Sequence, residues 1–317
     1  MKPGLRLAVL LILWCSVCLA DSAPTLSFRV VASYTHDPNA FTQGLLFVDG
    51  QLYESTGHYG RSTVRRVDLE TGRVEQDIRL APNLFGEGLM YWHGRLVQLT
   101  WREQIGIIYD AKTFERLETF QYQGEGWGLT HDGQHWIMSD GSDELRFLDP
   151  ETRRVVRRLK VRDGRQAVRR LNELEYIDGE IWANVWQTDR IVRISPESGS
   201  VIAVVDLGTL YPADERVSPE AVLNGIAHDA VTGRLFVTGK YWPRLYELDF
   251  GQKHALSILH PFDRLLLELG GVLDLRYLLL HRLQCDSHST SPLEDEISGE
   301  PQVDRLRSSA CQASSEG

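Results

Sequence analysis

Five short motifs recur along the 317-residue chain, and each places a polar or indole side chain beside a Gly-Leu pair or its equivalent. The motifs read FTQGL, FGEGL, GWGLT, LNELE and LNGIA. The side chains in question are Gln43, Glu87, Trp127, Asn172 and Asn224. A carboxylate can move protons, amides can hold a carbonyl or a carboxamide, and an indole supplies apolar surface. If the five positions meet in space, this set could bind and transform a small polar group.

A second set of side chains follows the motifs, at the far end of the alternating segment that each motif opens. It comprises Trp101, Asp140, Trp186 and Lys240, with Glu54 nearby in the first repeat. Trp242 also falls within a repeated motif. Indoles beside a carboxylate, amides and a lysine are typical of a pocket with an apolar floor and a few placed polar groups. The alternative is that the polar side chains only hold the repeats together and the indoles pack between them.

The recurrence of the motifs decides the fold. The aliphatic residues that anchor them are Leu45, Leu89, Leu129, Leu174 and Ile226, which lie 44, 40, 45 and 52 residues apart. Strand-turn-strand patterns fill the intervals, so about four short strands are expected in each repeat. The sequence therefore predicts an all-β protein, a five-bladed β-propeller catalytic domain over residues 25–250. A β-sandwich would not explain five similar periods.

The propeller brings the two sets of side chains together, because the innermost strand of every blade lines the central channel. Residues 27–34 read as a lone strand before the first repeat. We expect this strand to complete the last blade as its outer strand, which hides an open sheet edge. The longest insertion, residues 209–222, precedes the fifth motif and forms either a substrate lid or a passive connection.

The motif text resembles the plant and bacterial type of glutaminyl-peptide cyclotransferase (glutamine cyclotransferase). The matching segments, from about residue 28 to residue 250, are DPNAFTQGLLF, FGEGL, GWGLTHDG, LNELEY, WANVWQTDRIVRI, LNGIAHD and VTGKYWPRLYEL. The resemblance implies a five-bladed propeller and an exported enzyme that uses no metal or other cofactor. It also implies cyclisation of N-terminal glutamine to pyroglutamate with loss of ammonia, on peptides and proteins that begin with glutamine.

The resemblance further implies functional positions. These are Gln43, Glu87, Trp127, Asn172, Trp186 and Lys240. The expected catalytic residues among them are Glu87, Lys240 and Asn172. The expected substrate-binding residues are Gln43, Trp127 and Trp186, joined by Trp101 and Asn224 from their places in the two sets of side chains.

The implied reaction asks Glu87 to take a proton from the substrate α-amine and to return one to the leaving nitrogen. Walls of Trp127 and Trp186 would raise the pKa of this carboxyl toward a useful range, whereas Lys240 would oppose that shift. The candidate donors to the developing oxyanion are Asn172, Gln43 and Lys240. Either amide could equally hold the substrate carboxamide or the first peptide carbonyl, and the sequence does not divide these roles.

Two other functions compete with this one. A non-catalytic propeller would bind peptides or partner proteins through the same two sets of side chains. A metal-dependent propeller hydrolase would need several carboxylates around one ion. Glu87 alone supplies a carboxylate at the Gly-Leu position, which argues against the hydrolase. The histidines lack paired-ligand spacing and are expected to be surface or hydrogen-bonding residues. They are His36, His58, His93, His131, His135 and His228.

Both ends of the chain read differently from its centre. Residues 1–20 have a basic start and a short apolar run, which predict a cleaved signal peptide and export to the periplasm or the exterior without stable membrane insertion. Cys15 and Cys18 would leave with the signal peptide, whereas Cys285 and Cys311 remain and could pair. Residues 251–317 form an extension of uncertain structure, expected to be part helical and part disordered.

The charge of the chain bears on its partners. The formal net charge is −10, with acidic residues concentrated in the last part of the chain. A nucleic-acid partner needs clustered lysine and arginine and is therefore not expected. A monomer is expected.

Overall fold

The computed structural model describes residues 22–251, which consist of β-strands, their connections and one turn of 3-10 helix at Ala213–Glu215. The first three sheets each contain four consecutive antiparallel strands. The first sheet contains β3 (Thr42–Val48), β4 (Gln51–Thr56), β5 (Thr63–Val67) and β6 (Val74–Arg79). The second contains β7 (Gly86–Trp92), β8 (Arg95–Thr100), β9 (Ile105–Asp110) and β10 (Arg116–Gln121). The third contains β11 (Leu129–His131), β12 (Trp136–Met138), β13 (Glu144–Leu148) and β14 (Val155–Lys160).

The last two sheets recruit strands from the beginning of the chain. The fourth contains β17 (Leu171–Ile177), β18 (Glu180–Val185), β19 (Arg190–Ile194), β20 (Val201–Asp206) and, at its edge, β1 (Thr25–Leu26). The fifth contains β21 (Leu223–Asp229), β22 (Arg234–Gly239), β23 (Arg244–Asp249) and β2 (Arg29–Thr35). A small hairpin of β15 (Arg162–Asp163) and β16 (Gln166–Ala167) connects the third sheet to the fourth. The predicted all-β, five-bladed propeller is confirmed.

The ring is closed by the N-terminal segment. Strand β2 pairs antiparallel with β23, from Arg29 opposite Asp249 to Thr35 opposite Arg244, which confirms the predicted outer strand of the last blade. The sequence did not predict β1, which runs parallel to β20 and places Thr25 opposite Val204 in the fourth blade. One short segment therefore joins two neighbouring blades.

Alternating apolar residues on the strands fill the spaces between neighbouring blades. Phe147 from the third blade, for example, packs in one buried cluster with Leu171 and Ile181 from the fourth. A corresponding cluster joins Phe47 of the first blade to Phe236 of the fifth. Further clusters lie between the remaining neighbours. Full burial of such a side chain contributes roughly 1.5–3 kcal/mol, so contacts between blades, and not within single sheets, hold the ring together.

The glycines of the repeated motifs bring the innermost strands close to the axis. A Cβ atom on Gly44 would lie 2.5 Å from the backbone nitrogen of Leu89, and one on Gly88 would lie 2.6 Å from the carbonyl oxygen of Trp127. Neighbouring blades could not approach in this way with any larger residue at either position. The motif glycines are therefore a packing requirement of the channel.

The fourth blade departs from the glycine pattern, because Glu173 occupies the equivalent position. Its carboxylate is buried and accepts hydrogen bonds from the backbone N–H of Leu45 at 3.2 Å and of Ile226 at 2.9 Å. Burial raises the pKa of Glu173 well above its usual range, while the two N–H donors oppose that shift. One side chain on the axis thus links the fourth blade to the first and the fifth.

Glu173→Ala tests this axial link. The substitution leaves two buried N–H groups without an acceptor, at about 1–3 kcal/mol each, so we expect the free energy of unfolding to fall by about 2–6 kcal/mol. Urea titration followed by far-ultraviolet circular dichroism measures the loss. Glu173→Gln keeps one acceptor oxygen and should fall between the two proteins. An unchanged midpoint and slope for Glu173→Ala would show that the axis does not depend on this carboxylate.

The predicted signal peptide over residues 1–20, and all but the first residue of the extension over 251–317, lie outside the described residues. The possible pairing of Cys285 with Cys311 lies there too. Export and a monomeric state stay predictions of the sequence.

Candidate active site

A cavity of about 320 Å³ opens at the end of the channel where the innermost strands begin. It is lined by Phe41, Gln43, His58, Phe85, Glu87, Trp101, Trp127, Asn172, Trp186, Glu220 and Lys240. Glu87 and Asn172 are the second residues of β7 and β17, and Lys240 directly follows β22. Equivalent positions of different blades meet around one axis, so residues far apart in sequence share this small space. The cavity contains seven of the eight predicted site residues; Asn224 is the exception.

Glu87 is the buried carboxyl group of this cavity, with only 4% of its surface exposed. Within residues 22–251, no group donates a hydrogen bond to its side chain; Ser55 instead bonds to its backbone carbonyl oxygen. Burial raises its pKa well above the usual range, and the charge of Lys240 opposes that shift. Burial is the larger effect, so Glu87 can hold a proton at a pH where an exposed glutamate would have lost it.

Lys240 provides the cation of the cavity. Its ammonium lies 4.4 Å from the centroid of the Phe41 ring, and 4% of the residue is exposed. Burial lowers its pKa to about 8, although the charges of Glu87 and Glu220 favour the protonated form. Within the described part of the chain, its nitrogen makes no hydrogen bond and no ion pair shorter than 4.0 Å. The ammonium is therefore available to an oxygen of a bound molecule.

The amide side chains of the cavity are held in a defined order. Asn224 is fully buried behind Gln43, and its Nδ2 donates to the Thr42 carbonyl oxygen at 2.9 Å and to Gln43 Oε1 at 3.3 Å. This leaves Gln43 Nε2 as the donor that can reach a ligand. Asn172 Oδ1 is buried without a hydrogen-bond partner in residues 22–251. The predicted contact of Asn224 with substrate stays a prediction, while its place in the structure is that of a support for Gln43.

Three indoles and two phenylalanines form the walls. The rings of Trp127 and Trp186 meet edge to face, with centroids 5.4 Å apart. Phe85 lies between Phe41, at 6.1 Å, and Trp101, at 5.6 Å. These contacts make most of the cavity surface apolar, which strengthens the electrostatic interactions inside it. Trp242, by contrast, is buried in the core between the fourth and fifth blades, where its Nε1 donates to the Ala221 carbonyl oxygen.

Two members of the second set of side chains, Glu54 and Asp140, lie away from the cavity. Glu54 is buried in an ion pair with Arg65, at 2.6 Å, and contacts His36 Nε2 at 3.1 Å. These partners hold the pKa of Glu54 far below its usual range despite its burial. Asp140 lies 3.4 Å from Arg146 and does not line the cavity. Position in the repeat located both residues in the blades but did not show which way their side chains point.

The sequence missed four lining residues: Phe41, His58, Phe85 and Glu220. His58 was expected to be a surface or hydrogen-bonding residue, and it does bond to the Tyr241 hydroxyl at 2.6 Å. Its ring also packs at a tilt against the ring of Phe41, with centroids 4.3 Å apart. Both phenylalanines lie two residues before a predicted site residue, which is the signal that could have found them. Glu220 belongs to the insertion over residues 209–222, whose role as a lid stays a hypothesis.

The described residues contain neither a cluster of metal-ligating side chains nor a membrane-spanning helix. Within residues 22–251, no group of three or more His, Cys, Asp and Glu side chains is arranged to hold a metal ion. In the same part of the chain, no helix is long and apolar enough to cross a bilayer.

The chain is similar to known proteins along most of the propeller. A family model described as glutamine cyclotransferase matches residues 6–250. A glutaminyl-peptide cyclotransferase of Arabidopsis thaliana is 46% identical over 233 residues, which cover 72% of this chain and 73% of the relative. The crystal structure of Myxococcus xanthus glutaminyl cyclase is 40% identical, with a TM-score of 0.68, and covers 72% of this chain and 97% of that one.

Proposed function

Since the chain belongs to the glutamine cyclotransferase family and is a glutaminyl-peptide cyclotransferase, we propose that it forms pyroglutamate by an acyl transfer within the N-terminal glutamine of a peptide or protein, without a metal. The α-amine attacks the side-chain carboxamide carbon, a C–N bond forms, and the bond to the side-chain nitrogen breaks. That nitrogen leaves as ammonia once it has gained a proton. The substrates are peptides or proteins with glutamine at the N-terminus.

The observation that carries this proposal is the state of Glu87. Its carboxyl is buried, has no hydrogen-bond donor in residues 22–251, and shares a small apolar cavity with an unpaired ammonium. A group in this position can accept a proton from the attacking amine and deliver it to the departing nitrogen. Its raised pKa brings it closer to that of the reacting groups, which favours transfer in both directions.

The nitrogen donors of the cavity fit the oxygen side of the reaction. Lys240 offers its ammonium, and Gln43 offers Nε2 because Asn224 occupies its oxygen. Either donor can stabilise the charge that develops on the carboxamide oxygen, and such a donor contributes about 2.7–4 kcal/mol in other acyl transfers. Asn172 Oδ1, which lacks a partner in the described chain, is suited to accept from an N–H group of the substrate.

The cavity also fits the intramolecular character of the reaction. Both reacting groups belong to one residue, and alignment of such groups can supply roughly 7–11 kcal/mol of the barrier. The walls of Trp127, Trp186 and Trp101 restrict that residue and exclude water, which would otherwise compete as a nucleophile. A propeller that only binds peptide termini would not need a buried carboxyl with a raised pKa, so binding alone is the less favoured function.

The direct test is to incubate the purified protein with a glutamine-initiated peptide in the presence of a chelator. We expect the peptide to lose the mass of one ammonia molecule and an equal amount of ammonia to appear in solution. The matched controls are the same peptide with an acetylated α-amine and a peptide that begins with asparagine. No mass loss from the free glutamine peptide would contradict the proposed reaction, and loss only without chelator would contradict metal independence.

A further inference from the structure

Glu125 lies in the connection between β10 and β11, outside the lining of the cavity, yet it contacts two of the cavity indoles. One carboxylate oxygen, Oε2, accepts a hydrogen bond from Trp101 Nε1 at 2.7 Å and another from Trp127 Nε1 at 3.0 Å. Trp101 follows the second strand of the second blade, whereas Trp127 precedes the first strand of the third. A single atom thus holds two rings that belong to different blades.

The position of Glu125 is itself fixed by neighbouring groups. Arg102 Nε donates to its Oε1 at 3.2 Å, and the guanidinium of Arg102 lies 3.7 Å from the centroid of the Trp101 ring. Arg146 Nη2 donates to the backbone carbonyl oxygen of Glu125 at 2.9 Å. Hydrogen bonds to a charged acceptor are stronger than neutral ones, so this arrangement survives partial exposure of the carboxylate.

The direction of the two indole N–H groups decides what a substrate meets. Both groups are engaged by Glu125, so Trp101 and Trp127 present ring carbons to the cavity instead of hydrogen-bond donors. A carboxamide in the cavity then finds no donor on these two rings and must bond to other lining groups, such as Gln43, Asn172 and Lys240. Glu125 and the two indole N–H groups that it binds thus form a clamp, and this clamp helps to select one orientation of the substrate.

The charge of Glu125 acts on Glu87 as well. Two carboxylates near Glu87, those of Glu125 and Glu103, oppose its ionisation, whereas Lys240 favours it. Tyr59 and Tyr122 also interact electrostatically with Glu87 and are neutral phenols at ordinary pH. Arg102 Nε lies 3.2 Å from Glu125 Oε1, so the carboxylate of Glu125 is part of a partly exposed ion pair.

From these contacts we propose that Glu125 is a positioning residue of the cyclisation: it turns the N–H groups of Trp101 and Trp127 away from the substrate and holds these two walls of the cavity in place. The inference rests on the proposed function for its kinetic part. Its structural part concerns the free protein and can be measured without substrate.

Two variants separate the clamp from the charge. Glu125→Ala removes both, and we expect kcat/KM to fall by about 10- to 100-fold, because displaced walls no longer align the reacting groups. Glu125→Gln keeps an oxygen that can accept from both indoles but has no charge. We expect it to retain most of kcat, while the limb of the pH profile that Glu87 sets moves to lower pH.

The spectroscopic measurement uses the indole N–H resonances of protein labelled with ¹⁵N-tryptophan, assigned with Trp101→Phe and Trp127→Phe. Both resonances should shift in Glu125→Ala and stay near their wild-type positions in Glu125→Gln. Glu103→Gln is the matched control, since Glu103 acts on Glu87 but bonds to the Tyr59 hydroxyl and not to an indole. Glu103→Gln should move the limb of the pH–activity profile that Glu87 sets, without shifting the indole resonance of Trp101 or of Trp127.

The outcomes distinguish two failures. If Glu125→Ala leaves both indole resonances and kcat/KM unchanged, or changes them no more than Glu103→Gln does, Glu125 is not a positioning residue. If the wild-type protein does not cyclise glutamine peptides while the resonances behave as expected, the clamp exists and the proposed function is what fails.

Discussion

Glu87→Gln is expected to lower kcat for cyclisation of a glutamine-initiated peptide by about 100- to 10,000-fold. The amide is nearly isosteric with the carboxyl and keeps the cavity filled, but it cannot take a proton from the amine and pass it to the leaving nitrogen; such transfer contributes about that factor in enzymes. Ammonia release at saturating substrate measures the effect. Glu103→Gln serves as a control for the loss of a carboxylate that does not line the cavity. A variant Glu87→Gln with the wild-type kcat would exclude proton transfer by this side chain.

The same substitution is expected to stabilise the folded protein at neutral and alkaline pH. The folded-state pKa of Glu87 is raised by burial, so the folded state binds this proton more tightly than the unfolded chain, whose glutamate pKa is about 4.3. Stability is therefore lost as the pH rises from about 4.3 toward the raised value, because the buried group then ionises at a cost. The amide that replaces the carboxyl in Glu87→Gln does not ionise and has no such cost.

Urea unfolding at two pH values checks this linkage. Near pH 4 the wild-type protein and the variant should have similar free energies of unfolding, apart from any difference in packing. Near pH 8 the variant should be the more stable protein. An equal difference at both pH values would mean that Glu87 does not titrate in the folded state as its burial requires.

Lys240→Met is expected to lower kcat by about 100- to 1,000-fold, the usual loss when one donor to a developing oxyanion is removed. The ammonium is buried above the ring of Phe41 and makes no hydrogen bond in the described chain, so a bound carboxamide oxygen would be its partner. Methionine preserves the length and the apolar contact of the side chain but not the charge. An effect confined to KM would instead assign Lys240 to substrate binding.

The pH profile of a second variant tests the charge directly. Burial lowers the pKa of Lys240 to about 8, so activity that needs the cation should decline as the pH rises through about 8. Lys240→Arg stays charged in this range and should move the decline to higher pH, even though its planar group lowers the maximal rate. The substrate amine titrates nearby but affects both proteins equally. A decline that does not move would place its origin in another group.

Much of the fold was predictable from the sequence because it rests on repetition. Four of the five motifs share a glycine that the axis requires, and alternation of apolar residues gives the strands between them. Residues at one motif position, such as Gln43, Glu87 and Asn172, had to meet once the ring closed. Lys240 and Trp186 met them because each directly follows the second strand of its blade.

The rest of the site depends on directions that a repeat pattern does not contain. Glu173 looks like one more polar motif residue in sequence, yet its carboxylate lies on the axis and bonds to two other blades. Asn224, whose contact with substrate stays a prediction, lies behind the cavity lining, where its Nδ2 donates to the oxygen of Gln43. The role of Glu125 follows from the rotamers of two indoles that come from separate loops. The contacts of Glu173, Asn224 and Glu125 all depend on side-chain orientation and on neighbours that are distant in the sequence, which a repeat pattern does not contain.

The pairing of β2 with β23 has a consequence for how the enzyme is made. Arg29 and Asp249 form an ion pair across 220 positions of the chain, so the ribosome must complete the fifth blade before its outer strand can dock. Contacts of such long range are slow to form. Gln43 comes from the first blade and Lys240 from the last, so a chain that stops before the fifth blade lacks part of the candidate site. The enzyme should therefore gain activity in one late step of synthesis, when strand β2 pairs with strand β23.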